Sequence, residues 1–116
     1  MNIVPPGGKH YLIDFYDVEW CKLVDCNEIK EVFLEGVKKA GATYLNSYFH
    51  EFGQGYGITG IMALSESHIS IHTWPENGYA SIDIYMCGNS DPEKCLDVLY
   101  DYFKPKFSNI QSIERG

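Results

Sequence analysis

Residues Ser65–Gly88 read SESHISIHTWPENGYASIDIYMCG and carry the strongest structural signal in the chain. Two runs rich in β-branched and aromatic residues, His68–Thr73 and Tyr79–Met86, flank the sequence WPENG. Such runs on either side of a turn rich in Pro, Asn and Gly predict two strands joined as a hairpin. The rest of the fold can be predicted outward from this hairpin.

The predicted hairpin has one polar and one apolar face, because successive side chains of a strand point to opposite sides. In the second strand the polar face consists of Ser81, Asp83, Tyr85 and Cys87. The apolar face consists of Ala80, Ile82, Ile84 and Met86. We expect the apolar face to join the core, and the polar face either to meet water or to line a site. The same alternation places Ser67 and His72 on opposite faces of a regular strand, so they can meet only if the Glu66-Ser67 junction is irregular.

The remaining sequence predicts four further strands and two helices. The strand-like runs are His10–Tyr16, Thr43–Phe52, Ile58–Leu64 and Phe107–Glu114. A first helix is predicted after Asp25, which forms a capping box with Glu28, and it ends at Gly41. A second helix is predicted to begin at Asp91-Pro92 and to stop before Pro105. The order β-α-β-β-β-β-α-β predicts an α+β fold, a two-layer α/β sandwich whose mostly antiparallel sheet carries two helices on one face.

The composition is typical of a single compact domain. The chain has 116 residues, of which 45% are hydrophobic, and we expect one domain over residues 1–116. A formal net charge of -7 with only nine Lys and Arg residues argues against a nucleic-acid partner. No apolar run approaches the ~20 residues of a membrane span, so no membrane partner is expected. The first residues lack an apolar signal region, which predicts a cytoplasmic location.

Other chemical interpretations of the polar residues can be weighed by spacing. His68 and His72 would lie roughly 13 Å apart along one strand, so no metal site is expected. The loop GQGYG at Gly53–Gly57 precedes a β-branched strand and no helix, so it is not expected to bind phosphate. A Cys87–His72 nucleophile pair remains open at this point. Packing roles are predicted for three further cysteines, Cys21, Cys26 and Cys95.

The groups ESH, HTWPE and CG, at the spacing found in Ser65–Gly88, closely resemble the processing and catalytic segment of prokaryotic S-adenosylmethionine decarboxylases. The likeness extends to GGKHYLIDFY near the start, to FHEF and GITG before the motif, and to IERG at the end. Members of this family are pyruvoyl-dependent enzymes of polyamine synthesis. The resemblance implies a proenzyme that cuts itself between Glu66 and Ser67, giving a β chain of residues 1–66 and an α chain of residues 67–116.

The same resemblance implies a role for each residue of the motif. Ser67 would attack the Glu66 carbonyl and then become a covalent pyruvoyl cofactor, which forms a Schiff base with the substrate and acts as its electron sink. His72 would be the base of the elimination step, and Thr59 stands where the family usually has a serine of the processing site. Cys87 would return a proton to the α-carbon, since a thiol is mostly protonated at neutral pH.

Phe52, Trp74 and Glu76 lie at positions that look like substrate contacts in the family. The alternative is that Phe52 and Trp74 are core aromatics and that Glu76 is an ordinary carboxylate of a turn. The stretch GQGY after Phe52 is glycine-rich and one residue longer than the corresponding family loop, and the resemblance implies that it lies where the adenosine of the substrate binds. We expect an (αβ)2 homo-oligomer, because two such small chains would together enclose the site.

These inferences predict decarboxylation of S-adenosylmethionine, a small-molecule substrate, after self-cleavage at Glu66-Ser67. Arginine and ornithine are the alternative substrates for a pyruvoyl enzyme of this fold. A homologue that only binds a partner is the alternative without enzymatic activity, and intact Ser67, His72 and Cys87 argue against it.

Overall fold

A computed structural model describes residues 6–116 of the chain. Within this range lie six strands and two α-helices, which are β1 (Gly8–Tyr16), α1 (Cys26–Ala40), β2 (Tyr44–Glu51), β3 (Ile58–Leu64), β4 (Ser67–Trp74), β5 (Tyr79–Cys87), α2 (Pro92–Phe103) and β6 (Phe107–Arg115). Single 3-10 turns span Trp20–Lys22 and Pro75–Asn77. The observed element order is the predicted one, and the α+β class is confirmed.

All strands belong to one sheet with the order β2-β3-β4-β5-β1-β6, and every neighbouring pair is antiparallel. Strands β2, β3, β4 and β5 follow one another along the chain and pair as hairpins, whereas β1 lies between β5 and β6. Because α1 and α2 pack together over one face, their buried side chains and those of the sheet form a single core. The predicted two-layer sandwich is confirmed.

Helix α1 begins and ends at the residues that the sequence predicts. The side chain of Asp25 accepts a hydrogen bond from the backbone N–H of Glu28 at 3.0 Å, which satisfies one of the free donors of the first turn. Gly41 ends the helix with φ 74°, a left-handed conformation that glycine adopts without steric cost. Between these caps, Ile29, Phe33 and Val37 point into the core.

The two helices approach each other closely where Gly36 of α1 faces Cys95 of α2. A Cβ atom at Gly36 would lie 2.8 Å from the sulfur of Cys95. Cys95 is fully buried, and burial raises the pKa of its thiol to about 12. The predicted packing role is therefore confirmed for Cys95, whereas it is wrong for Cys21, which is exposed.

Strand β5 shows the predicted alternation. Its Ala80, Ile82 and Ile84 are completely buried under the helices, while Ser81 and Asp83 are only partly covered. The sheet surface opposite the helices is called the open face below. By strand register it carries six exposed apolar side chains, namely Tyr16, Tyr48, Ile61, Trp74, Phe107 and Ile113. An exposed apolar surface of this extent is typical of an interaction site.

Neither helix of the described part is long and apolar enough to cross a membrane.

Candidate active site

The Glu66-Ser67 junction lies in the tight turn between β3 and β4. Leu64 pairs directly with Ser67, so that only Ser65 and Glu66 form the turn. Glu66 has φ 61°, in the left-handed region that costs a side-chain-bearing residue of the order of 1–3 kcal/mol. The irregular backbone therefore lies at Glu66 in the turn, whereas Ser67 itself is paired in regular register.

A thiol stands directly at the carbonyl of this junction. The Sγ of Cys87, at the end of β5, donates a hydrogen bond to the backbone oxygen of Glu66 at 3.1 Å. The same sulfur lies 3.8 Å from a carboxylate oxygen of Glu66. Cys87 is only 9% exposed, so little water competes for this contact. A hydrogen-bond donor thus already sits on the oxygen that would gain negative charge if Ser67 attacked the Glu66 carbonyl.

A second polar group lies further along the same strands. Thr59 and His72 are direct cross-strand partners on the open face, and Thr59 Oγ1 lies 3.0 Å from His72 Nδ1. This contact orients the imidazole, and within residues 6–116 its Nε2 has no hydrogen-bond partner. The ring of His72 is exposed and lies 6.3 Å from that of Trp74, centroid to centroid.

Strand register keeps these two groups apart within one chain. Ser67 precedes His72 by five residues of β4, a separation of roughly 17 Å at ~3.3 Å per residue. His72 pairs with Ser81, six residues before Cys87, which separates His72 from Cys87 by roughly 20 Å. The alternative of a Cys87–His72 nucleophile pair within one chain is therefore wrong. The irregular turn does not bring Ser67 to His72 either, because Ser67 is already paired in regular register.

A cavity of about 470 Å³ opens beside His72 and brings together the three predicted substrate contacts, Phe52, Trp74 and Glu76. Phe52 is 63% exposed and Trp74 is 40% exposed. Their alternative role as core aromatics is consequently wrong. Glu76 lies in the 3-10 turn Pro75–Asn77, so its carboxylate reaches the cavity from a fixed turn.

The sequence analysis missed one side chain of this cavity, Tyr56 of the loop GQGYG. The sequence analysis connected that loop with substrate specificity but assigned no role to Tyr56. An aromatic residue placed between glycines was the available signal.

His10 and His68 form a further polar cluster on the open face that the sequence analysis did not identify. Their rings lie 6.0 Å apart, and His10 Nε2 lies 3.8 Å from Asp83 Oδ2. Burial, followed by the nearby His10, lowers the pKa of His68. We therefore expect His68 to be neutral around pH 7.

Comparison with known proteins places these residues in a described family. A family model for S-adenosylmethionine decarboxylase matches residues 9–116. A Pyrococcus horikoshii S-adenosylmethionine decarboxylase proenzyme is 41% identical over 94% of this chain and 78% of its own length. A proenzyme of the same name from Persephonella marina is 44% identical over 94% of this chain and 82% of its own. The crystal structure of the adenosylmethionine decarboxylase from Aquifex aeolicus VF5 matches with a TM-score of 0.86 and 38% identity, over 97% of this chain and 93% of that one.

Proposed function

The chain belongs to the S-adenosylmethionine decarboxylase family, and from this premise we propose that it is a proenzyme that cuts itself and then decarboxylates S-adenosylmethionine. The observation that carries the proposal is the hydrogen bond from the Cys87 thiol to the Glu66 carbonyl, next to the hydroxyl-bearing Ser67. Self-cleavage at this junction gives a β chain of residues 1–66 and an α chain of residues 67–116. The pyruvoyl group formed from Ser67 supplies the electron sink for decarboxylation.

The first step of the cut is attack of Ser67 Oγ on the Glu66 carbonyl carbon. The new C–O bond replaces the C–N peptide bond, which converts the amide to an ester. In the tetrahedral intermediate between amide and ester, negative charge develops on the Glu66 oxygen, to which the Cys87 thiol already donates a hydrogen bond. The left-handed backbone at Glu66 favours the reaction, since breaking the peptide bond releases the strain of the turn.

The second step is elimination across Ser67. Removal of its Cα proton expels the Glu66 carboxylate and leaves dehydroalanine at position 67. Tautomerisation to the imine and addition of water then release ammonia and leave the pyruvoyl group. We assign proton removal to His72, whose imidazole can act as a general base and is oriented by Thr59.

His72 can reach Ser67 only from a second copy of the chain, because the two lie roughly 17 Å apart within one copy. We therefore propose an (αβ)2 dimer in which two open faces pack against each other. A two-fold axis running across the strands places the Ser67 end of one sheet over the His72 end of the other, so that His72 approaches the Cα of Ser67 from the face opposite the Ser67 side chain. The exposed apolar side chains of the open face, such as Ile61 and Tyr48, become buried in this arrangement.

After the cut, residues of the same site take part in the decarboxylation. Release of the Glu66 carbonyl frees the Cys87 thiol to return a proton to the α-carbon after carbon dioxide has left. The cavity beside His72, which the proposed dimer places next to Cys87 and the pyruvoyl group of the other copy, receives the adenosyl portion, with Phe52 and Trp74 offering aromatic faces and Glu76 offering a carboxylate to ribose hydroxyls. The cytoplasmic location stays a prediction.

Intact-mass measurement combined with a carbon dioxide release assay tests this function. We expect two fragments split after Glu66, with residue 67 as pyruvoyl, and carbon dioxide from S-adenosylmethionine in preference to arginine or ornithine. Ser67→Ala is the control, which should remain a single chain and release no carbon dioxide. A wild-type chain that stays intact on long incubation, or that prefers arginine or ornithine, would contradict the proposal.

A further inference from the structure

The loop Gly53–Gly57 presents an aromatic side chain, Tyr56, to the cavity beside His72. Tyr56 lines this cavity together with Phe52 and Trp74, and it is 65% exposed. Because Tyr56 is exposed, packing in the core does not fix its position, which depends on the conformation of the loop.

Two backbone hydrogen bonds hold the loop that carries Tyr56. The N–H of Phe52 donates to the Gly57 oxygen at 3.0 Å, and the N–H of Tyr56 donates to the Gly53 oxygen at 3.0 Å. Gly53 has φ 142°, and the Tyr56 ring lies so close to it that a Cβ there would be 2.7 Å from the ring. The ring is therefore packed on the backbone of its own loop, a contact that only glycine at position 53 permits.

The loop is also fixed from the outside. The indole of Trp20 backs Gly55, where an added Cβ would lie 3.2 Å from the ring. Gly57 lies directly against the backbone oxygen of Thr73 in β4, with no room for a side chain between them. The loop is thus wedged between Trp20 and β4, and Tyr56 faces the cavity as part of a preformed wall.

The residues of the cavity follow an order along the strands. Thr59 of β3 and His72 of β4 lie at one end of the cavity. Because the two strands are antiparallel, the chain before Thr59 and the chain after His72 extend from this pair in the same direction, to Tyr56 and to Glu76 respectively. In the proposed dimer the pyruvoyl group of the other copy lies next to His72, so the α-carbon of the substrate, which reacts at that group, lies near His72 as well. The part of S-adenosylmethionine farthest from that carbon is the nucleobase, which consequently extends toward Tyr56.

We propose that Tyr56 is a specificity-determining residue that stacks its ring on the nucleobase of the substrate, opposite the aromatic faces of Phe52 and Trp74. This inference rests on the proposed function and adds to it a residue that accounts for substrate choice. Arginine and ornithine have no aromatic portion, so they gain nothing from this ring. The longer, glycine-rich loop therefore supports recognition of a nucleoside substrate in this chain.

Steady-state kinetics of two variants at Tyr56 test the proposal. Tyr56→Leu keeps an apolar side chain and removes the ring, and we expect the KM for S-adenosylmethionine to rise about tenfold, which is the effect of losing one base-stacking ring. The kcat should fall by a smaller factor than the KM rises. Tyr56→Phe keeps the ring and should retain the wild-type KM. Tyr100→Leu, a matched loss of a tyrosine ring on α2 outside the cavity, is the control and should leave KM unchanged.

Inhibition by 5′-methylthioadenosine identifies the part of the substrate that Tyr56 contacts, because this probe carries the nucleobase without the charged sulfonium or the amino acid. Its inhibition constant should rise with Tyr56→Leu by the same factor as the KM. Intact mass has to show a complete cut in every variant, which separates recognition from processing. If wild-type protein decarboxylates S-adenosylmethionine while Tyr56→Leu keeps both constants, the role of Tyr56 is refuted and the proposed function stands. If wild-type protein does not use S-adenosylmethionine, the proposed function fails first.

Discussion

At the scale of single residues, one hydrogen bond connects the cut with the later chemistry. The Cys87 thiol donates to the Glu66 carbonyl in the uncut chain at 3.1 Å. In the proposed mechanism the cut frees the same thiol to act on the substrate, so this hydrogen bond occupies Cys87 until the chain is processed.

Replacement of Cys87 should slow both reactions to different extents. Because a thiol is a weak hydrogen-bond donor, we expect Cys87→Ala to slow the appearance of fragments by about tenfold, less than the loss of a strong oxyanion donor. Decarboxylation by the processed variant should fall further, since its proton donor is gone. Cys87→Ser keeps a donor and should process close to the wild-type rate. Time courses by intact mass measure the cut, and a wild-type rate in Cys87→Ala would show that the thiol takes no part in it.

The motif residues were accessible from the sequence, while their distances were not. Alternation along β4 correctly placed Ser67 and His72 on opposite faces, whereas the irregular backbone at Glu66 does not bring the two residues together. The pairing of His72 with Ser81 decides how far His72 lies from Cys87, and register depends on turn geometry that periodicity does not report. Tyr56 was missed for a similar reason, since its position follows from backbone angles of glycines.

At the scale of elements, strands and helices were predicted to within one or two residues. Alternation in β5 and the caps of α1 act locally, so a single sequence reveals them. The crossing of α1 and α2 depends on tertiary packing, and the need for glycine at Gly36 becomes visible only with Cys95 in place. An isolated helix would favour alanine there.

Gly36→Ala should consequently destabilise the fold despite its better helix propensity. The added Cβ would lie 2.8 Å from the Cys95 sulfur, and overpacking of a core costs about 1–3 kcal/mol. Urea unfolding in the uncut Ser67→Ala background measures this free energy on a single chain. As a control, Cys95→Ala removes the sulfur, so that Gly36→Ala should cost clearly less in that background. An equal cost in both backgrounds would show that the sulfur contact is not the cause.

At the scale of the whole molecule, the residues proposed for the reaction form two groups at opposite ends of strands β3, β4 and β5. Glu66, Ser67 and Cys87 lie at one end, and Thr59 and His72 lie at the other. From the sequence, a site shared between two copies was expected only because one chain is small. The strand register adds a physical reason, since it keeps Ser67 and His72 apart within one chain. The open face, with its exposed apolar side chains, is the surface through which a second copy would complete the site.

The central claim is that Ser67 of one copy is processed with His72 of the other, and co-expression of two inactive variants tests it most directly. Each variant alone, His72→Ala or Ser67→Ala, should remain uncut, because every site then lacks one of the two residues. In mixed dimers the intact Ser67 of the His72→Ala chain meets the intact His72 of its partner. Intact mass should then show the α-chain fragment that carries Ala at position 72. If the His72→Ala chain stays whole in mixed dimers, although each dimer contains one intact Ser67 and one intact His72, the shared site is contradicted.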